Sequence, residues 1–295
     1  SAVRRYFAGE FEMAGLRIVG LVGGSFGDPN DLALSFVMLI PLAYFMSGAS
    51  QSSIGKLALW SILLALTLGV IAAQSRGGFL GLGLVLLLIV KQSHHRLAAS
   101  VLLGVLLIVV VFLAPDGSFG RISSIADYEE DESAVGRLIA WKAGLRMFAD
   151  NPAFGVGAGV FEVAYGQAYR PEGVRGKWIA PHSSYVQVLA ETGLLGFICF
   201  LSIIVISIKH LWLARQSTAH EQNEQDLDRL VKLNKGITVG IWGFLACAAF
   251  LSQAYAWLFN ITIALSIVVN RQIVEQVEFA HSVHRTSDTD HQTAG

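Results

Sequence analysis

Seven stretches of the chain are dominated by apolar residues: Leu32 to Met46, Leu57 to Ala73, Gly77 to Val90, Leu97 to Ala114, Val186 to Ile208, Ile237 to Leu251 and Leu258 to Val269. They are continuous rather than alternating, which excludes the strands of a β-barrel. A helix needs about 20 residues to cross a bilayer core, so the third, sixth and seventh need their flanking residues as well. The sixth and seventh read as a tight hairpin turning around Ser252 and Gln253, with Tyr255 and Trp257 as interfacial aromatics. The pattern predicts an all-α fold, a polytopic transmembrane helical bundle of about seven spans.

The polar connections alternate in charge. One set carries Lys56; then Lys91, His94, His95 and Arg96; then Lys209, Arg215, Arg229, Lys232 and Lys235; then Arg271. The opposite short connections hold only Arg76 and the neutral turn from Ser252 to Ala256. By the positive-inside rule the basic set is cytoplasmic. This divides the chain into an outward-facing segment (1–31), four spans (32–114), an outer loop (115–185), a fifth span (186–208), a cytoplasmic loop (209–236), two more spans (237–270) and a cytoplasmic tail (271–295). The tail, with His281, His284 and His291, is polar and is expected to be disordered.

Pro115 to Tyr185 is too long for a passive connector. Its aromatics Trp141, Phe148, Phe154, Phe161, Tyr165, Tyr169 and Trp178 predict order. Leu138, Trp141, Leu145 and Phe148 recur at helical spacing, and Asp150-Asn151-Pro152 should stop that helix. Gly155-Val156-Gly157-Ala158-Gly159 lacks both a preceding strand and a Gly-Lys-Ser/Thr ending, so it reads as a chain reversal rather than a nucleotide loop.

Composition agrees. Hydrophobic residues make up 54% and charged residues 15%, with a mean hydropathy of +0.56. Soluble domains carry nearer a quarter charged residues. Lys plus Arg (21) almost balances Asp plus Glu (22), so no basic field points to nucleic acid. Cys199 and Cys247 both lie in apolar runs, which excludes a disulfide framework and a cysteine-rich zinc site. The chain begins at Ser1 with Arg4, Arg5, Glu10 and Glu12 close behind. That is no signal peptide, and an amino-terminal part is expected to be missing.

Several residues carry candidate chemistry. Arg76, in Gln74-Ser75-Arg76-Gly77-Gly78, is either a snorkelling interfacial arginine or an anion clamp. Arg137 opens the predicted loop helix, either on a solvated face or toward a ligand. Arg170, Arg175 and Lys177, near Tyr169 and Trp178, suit a phosphate with sugar rings or an ordinary wet loop. His182, in Pro181-His182-Ser183-Ser184-Tyr185, is either a capping or interfacial histidine or a base, since a helix start's partial positive charge keeps imidazole neutral and able to accept a proton. Glu191, inside an apolar span, is a functional candidate or a helix–helix hydrogen bonder. It lies half a turn out of phase with His182. Glu129-Glu130-Asp131-Glu132 reads as a solvated run, and no metal site and no cofactor are expected.

In order along the chain, Gly27-Asp28-Pro29-Asn30, Ser75-Arg76-Gly77-Gly78, Gly136-Arg137 through Trp141, Asn151-Pro152 with Gly155-Val156-Gly157, His182-Ser183-Ser184-Tyr185 and Glu191-Thr192-Gly193-Leu194-Leu195-Gly196 together resemble the O-antigen ligase and polymerase superfamily. The resemblance implies a metal-independent glycosyltransferase of the bacterial inner membrane, with the large loop in the periplasm. Such proteins take a glycan from undecaprenyl diphosphate and pass it to lipid A-core, to another glycan or to a protein. It implies catalytic roles for Arg76, Arg137 and His182, while Arg170, Arg175, Glu191 and Tyr185 are the candidates for substrate binding. Family members usually have more spans, so this chain resembles a carboxy-terminal portion. A transporter or flippase of lipid-linked glycans, or a non-catalytic assembly subunit, remains the alternative. A transporter should show paired broken helices in two related halves, and no such repeat is visible.

Overall fold

The computed structural model describes residues 28–93, 104, 132–173, 179–217 and 225–293, and among these the regular elements are all helical. They are α1 (Pro29–Ala49), α2 (Ser53–Ala73), α3 (Arg76–Gln92), α4 (Glu132–Asp150), α5 (Phe161–Ala164) with a following π turn (Tyr165–Tyr169), α6 (Ser184–Ser217), α7 (Gln225–Ala248) and α8 (Trp257–Thr293). Five of them, α1, α2, α6, α7 and α8, are long and apolar enough to cross a membrane. The third apolar stretch forms α3, which at 17 residues is shorter. Leu97–Ala114 lies outside the described residues, so the structure holds five candidate spans where the apolar pattern predicts about seven.

Side-chain oxygens cap the first three helices. Asp28 accepts from the Asn30 N–H at 2.6 Å, with Pro29 at the first helical position. Ser52 and Ser75 each accept from a glycine N–H three residues on, at 3.1 Å. These contacts satisfy amides that a helix start leaves without a partner.

α1 lies at the centre: 67% of its most apolar stretch is buried, against 22% for α2 and α6, whose outer faces are left for lipid. α1 packs on α7 through glycines. A Cβ on Gly240 would meet Met38 O at 2.8 Å, and one on Gly236 would meet Leu42 Cα at 3.0 Å. Lipid tails are as apolar as leucine, so close packing rather than transfer from water draws such helices together. Leu34, Val37, Met38, Val85, Ile237, Ile241 and Phe244 fill the core, and the Phe244 ring stacks on Phe259 at 4.1 Å.

At one end of the bundle Lys232 Nζ donates to Gly48 O (2.8 Å) and to Asp228 (2.6 Å). Asn234 Nδ2 donates to Leu211 O there (3.0 Å), and Tyr44 OH to Ser93 Oγ (2.9 Å). The opposite end carries the candidate site.

α6 is not a straight rod. Gly193 (φ 66°, ψ −164°) splits it into Ser184–Thr192 and Leu194–Ser217. The Tyr185 and Phe200 ring centroids lie 6.5 Å apart, whereas a straight helix would separate these residues by about 22 Å. The two parts form a V with Gly193 at its apex. A Cβ there would strike Ala153 O at 2.5 Å, so both the positive φ and the close approach require glycine.

α4 ends at Asp150, where the Asp-Asn-Pro signal places its end, but Ala140, Ala143 and Met147 form its buried face. Leu138 and Leu145 are 37% and 53% exposed. The reason is the neighbour: a Cβ on Gly144 would meet Val186 Cγ1 at 2.5 Å, and only small residues let α4 approach α6 so closely. At the other end of the chain α8 continues to Thr293. Extending an existing helix avoids the nucleation cost, and Arg271 pairs with Glu275 one turn on at 2.7 Å.

Candidate functional site

The site end is built where several helix ends meet. The start of α3 packs against the end of α7: Cys247 Sγ donates to Gly77 O (3.4 Å), and a Cβ on Gly77 would meet Leu251 Cδ1 at 2.8 Å. A Cβ on Gly78 would meet Ala33 of α1, also at 2.8 Å. Ser184 Oγ, at the start of α6, donates to Leu251 O (2.7 Å) and accepts from the Gln253 N–H (2.9 Å). The Gln253 side chain in turn reaches Asp31 in the first turn of α1. The paired glycines at 77 and 78 thus serve helix contact.

Arg76 is the first residue of α3 and is exposed. A cation at a helix start opposes the helix dipole. Arg76 and the positive end of the α3 dipole therefore add up to a positive corner, although Ser75 already caps the Gly78 amide.

His182 has φ +47°, a conformation uncommon outside glycine. Its neighbours hold it there. Trp141 of α4 donates from Nε1 to Pro181 O at 2.9 Å, and Ser184 is tied to the α7–α8 turn as above. Burial first and the Arg137 guanidinium second push the His182 pKa below its ordinary value. Asp28 and Glu162 act in the opposite direction, with smaller effect. The depression thus comes from burial and Arg137 rather than from the helix start. The result is a neutral imidazole at pH 7. The structure thereby brings Arg137, half-buried on α4, close to His182, and puts Arg76 at the same end of the bundle.

The other expected residues are placed differently. Both Glu191 carboxylate oxygens accept backbone amides, Oε2 from Gly159 (3.0 Å) and Oε1 from Phe161 (3.1 Å). Val156 and Gly157 N–H groups bond to Ala190 O and Glu191 O, each at 2.9 Å. The glycine run is thus a reversal clamped onto α6. Gly155 in it has φ +68° and no room for a Cβ beside Ala190 O. Tyr185 OH donates to Leu245 O at 2.9 Å. Arg170 is exposed, near enough to Tyr165 for its charge to act on that phenol. Arg175 lies outside the described residues.

Three contributors escape the sequence. Trp141 counts there only as an apolar helix position, although a half-buried indole N–H usually finds an acceptor. Asp31 with Gln253 links two segments far apart in sequence. Tyr255 reads as an interfacial aromatic, yet its hydroxyl meets Glu191, and burial followed by that carboxylate raises its pKa. No local pattern marks these pairings.

Residues 59–201 match the family described as O-antigen ligase. This stretch, just under half of the chain, is similar to the O-antigen ligase family. The family is one of membrane glycosyltransferases, in keeping with the five apolar helices. Comparison with curated proteins finds no match. The matched stretch takes in Arg76, Arg137, His182 and Glu191 and runs from α2 to just past the kink of α6. Asp28, Asp31 and Gln253, which complete the same end, lie outside the matched range.

Proposed function

We propose that the chain transfers a glycan from undecaprenyl diphosphate to an acceptor (another glycan, lipid A-core or a protein) on the periplasmic side of the bacterial inner membrane. The observation that carries this reading is Arg137 beside a half-buried His182, at the end where Arg76 opens α3. Arg76 and Arg137 hold the diphosphate. The acceptor hydroxyl attacks the anomeric carbon as its proton passes to the His182 imidazole. The anomeric C–O bond breaks, and its electron pair leaves with the diphosphate. Fixed guanidinium groups stabilise charge that grows in the transition state without having to reorganise, so the step uses no metal ion. Arg170 and Arg175 engage the glycan from the loop. Glu191 and Tyr185 enter as positioning residues, since backbone groups already occupy their oxygens.

The test is transfer by protein reconstituted in vesicles with a lipid-linked glycan and an acceptor, without nucleotide or ion gradient. His182→Ala and His182→Gln should each lower the rate by about 10²–10⁴-fold with donor binding retained. Arg76→Lys keeps the charge but loses the paired fork, and should lose most transfer. Movement of the glycan across the bilayer with no new glycosidic bond would overturn the enzyme in favour of a transporter. Single cysteines at Ser118 and Ser217 should label from outside and from inside, respectively. Outside labelling of Ser217 alone would reverse the orientation.

A further inference from the structure

The apex of the α6 kink holds exposed apolar side chains. Phe154 is 75% exposed, although its backbone is pressed against Gly193. Leu194 and Leu195 beside it are about half exposed, and their amides bond to Pro152 O (2.8 Å) and Ala153 O (3.4 Å). One turn further along, Ile198 is 50% exposed, and Ile203, Val205 and Ile206 continue the exposed apolar face of α6.

The level of this apex follows from two ties at the other end. Lys232 and Asn234, half a turn apart on α7, bond to Gly48 of α1 and Leu211 of α6. From Gly48 back to Asp31, and from Leu211 back to Leu194, the two helices rise by the same number of residues, about 26 Å in each. Asp31 marks the site end, where it meets Gln253. Leu194 therefore stands level with it, and both helices match a hydrocarbon core of about 30 Å. The first part of α6, from Ser184 beside Leu251 to the apex, accordingly runs along the membrane surface rather than through it.

We propose that Phe154, with Leu194 and Leu195, anchors the outer loop in the lipid bilayer, its ring resting at the boundary of headgroups and acyl chains. The partner is the lipid itself. The apex patch is continuous with the lipid-facing side of α6, and it lies at the depth where a bilayer of ordinary thickness ends. Such an anchor fixes the height of α4 and α5 above the membrane independently of any chemistry at His182.

The experiment uses the whole chain with Cys199→Ser, reconstituted in vesicles, with a bimane label on one new cysteine: Phe154→Cys, Leu194→Cys or Gln167→Cys. Gln167 is an exposed residue of the π turn. Lipids brominated near the headgroup or deep in the chain serve as quenchers. The expected result is loss of fluorescence at 154 and 194, greatest with the shallow bromines, and little loss at 167. Quenching at 194 but not at 154 would mean that water or another protein covers Phe154, which overturns the anchor. Absence of quenching at both would overturn the assigned membrane level.

Discussion

The bundle of α1, α2, α3, α7 and α8 and the cap of residues 132–173 with the first part of α6 both achieve close packing, by different means. In the bundle, glycines on α7 let whole helices touch, and a large apolar core fills the space between them. The cap has a small apolar core of Ala140, Ala143, Met147, Phe161, Tyr165 and Ala190. It depends on polar clamps instead: Glu191 on two amides, Trp141 on Pro181, and positive-φ glycines at 155 and 193. The lesson is that long helices take most of their fit from shape, with a few polar ties such as Lys232 to Gly48 O setting their level. A short loop domain needs directional bonds to hold one geometry, and that geometry is what sets His182.

The largest expected effect separates the two regions. Glu191→Ala leaves the buried Phe161 amide without its acceptor, at a cost of about 1–3 kcal/mol, and frees the exposed Gly159 amide to water. Limited proteolysis should then cut within residues 151–165 while the helical content of the bundle stays constant. A single joint unfolding of cap and bundle would break the comparison. Gly240→Leu tests the other side. Forcing a side chain against Met38 O should destabilise the bundle by about 1–3 kcal/mol, seen as a lower melting temperature in detergent. Gly83→Ala, which meets nothing within 4 Å, should not lower it.

Smaller effects sharpen the role of the cap. Trp141→Phe removes one hydrogen bond, about 1 kcal/mol. It should slow transfer with donor affinity and bundle melting unchanged. The last is a change in pH profile. Because the His182 pKa lies below the ordinary value of about 6.5, transfer should stay level through neutrality and fall only as pH drops through the lowered value. Arg137→Gln removes the second cause of that shift, so the acid limb of the residual activity should move upward. Burial, the first cause, should still keep it below the ordinary value.

Much of the bundle was legible because spans are long and apolar patterns are local. The stop at Asp150 and the turn near Ser252 both sit where residue types place them. The face of α4 was not legible. Leu138 and Leu145 advertise a core that α4 does not use, because the small residues opposite them fit α6 more closely. Leu97–Ala114 and Arg175 fall outside the described residues. Arg76, Arg137 and His182 were readable as chemistry-bearing types on one side of the bundle, and the closeness of Arg137 to His182 was not.

The sequence by itself determined that the chain is helical, apolar over its spans and basic at one end. Hydrophobic runs and loop charges act over a few residues, so no folding is needed to see them. Only the tertiary structure decided that Glu191 serves the glycine turn, that Trp141 steadies the chain before His182, and that α6 breaks at Gly193. Each of these depends on which segments meet across many tens of residues. Such a meeting is settled by packing volume and by the need of every buried amide for an acceptor.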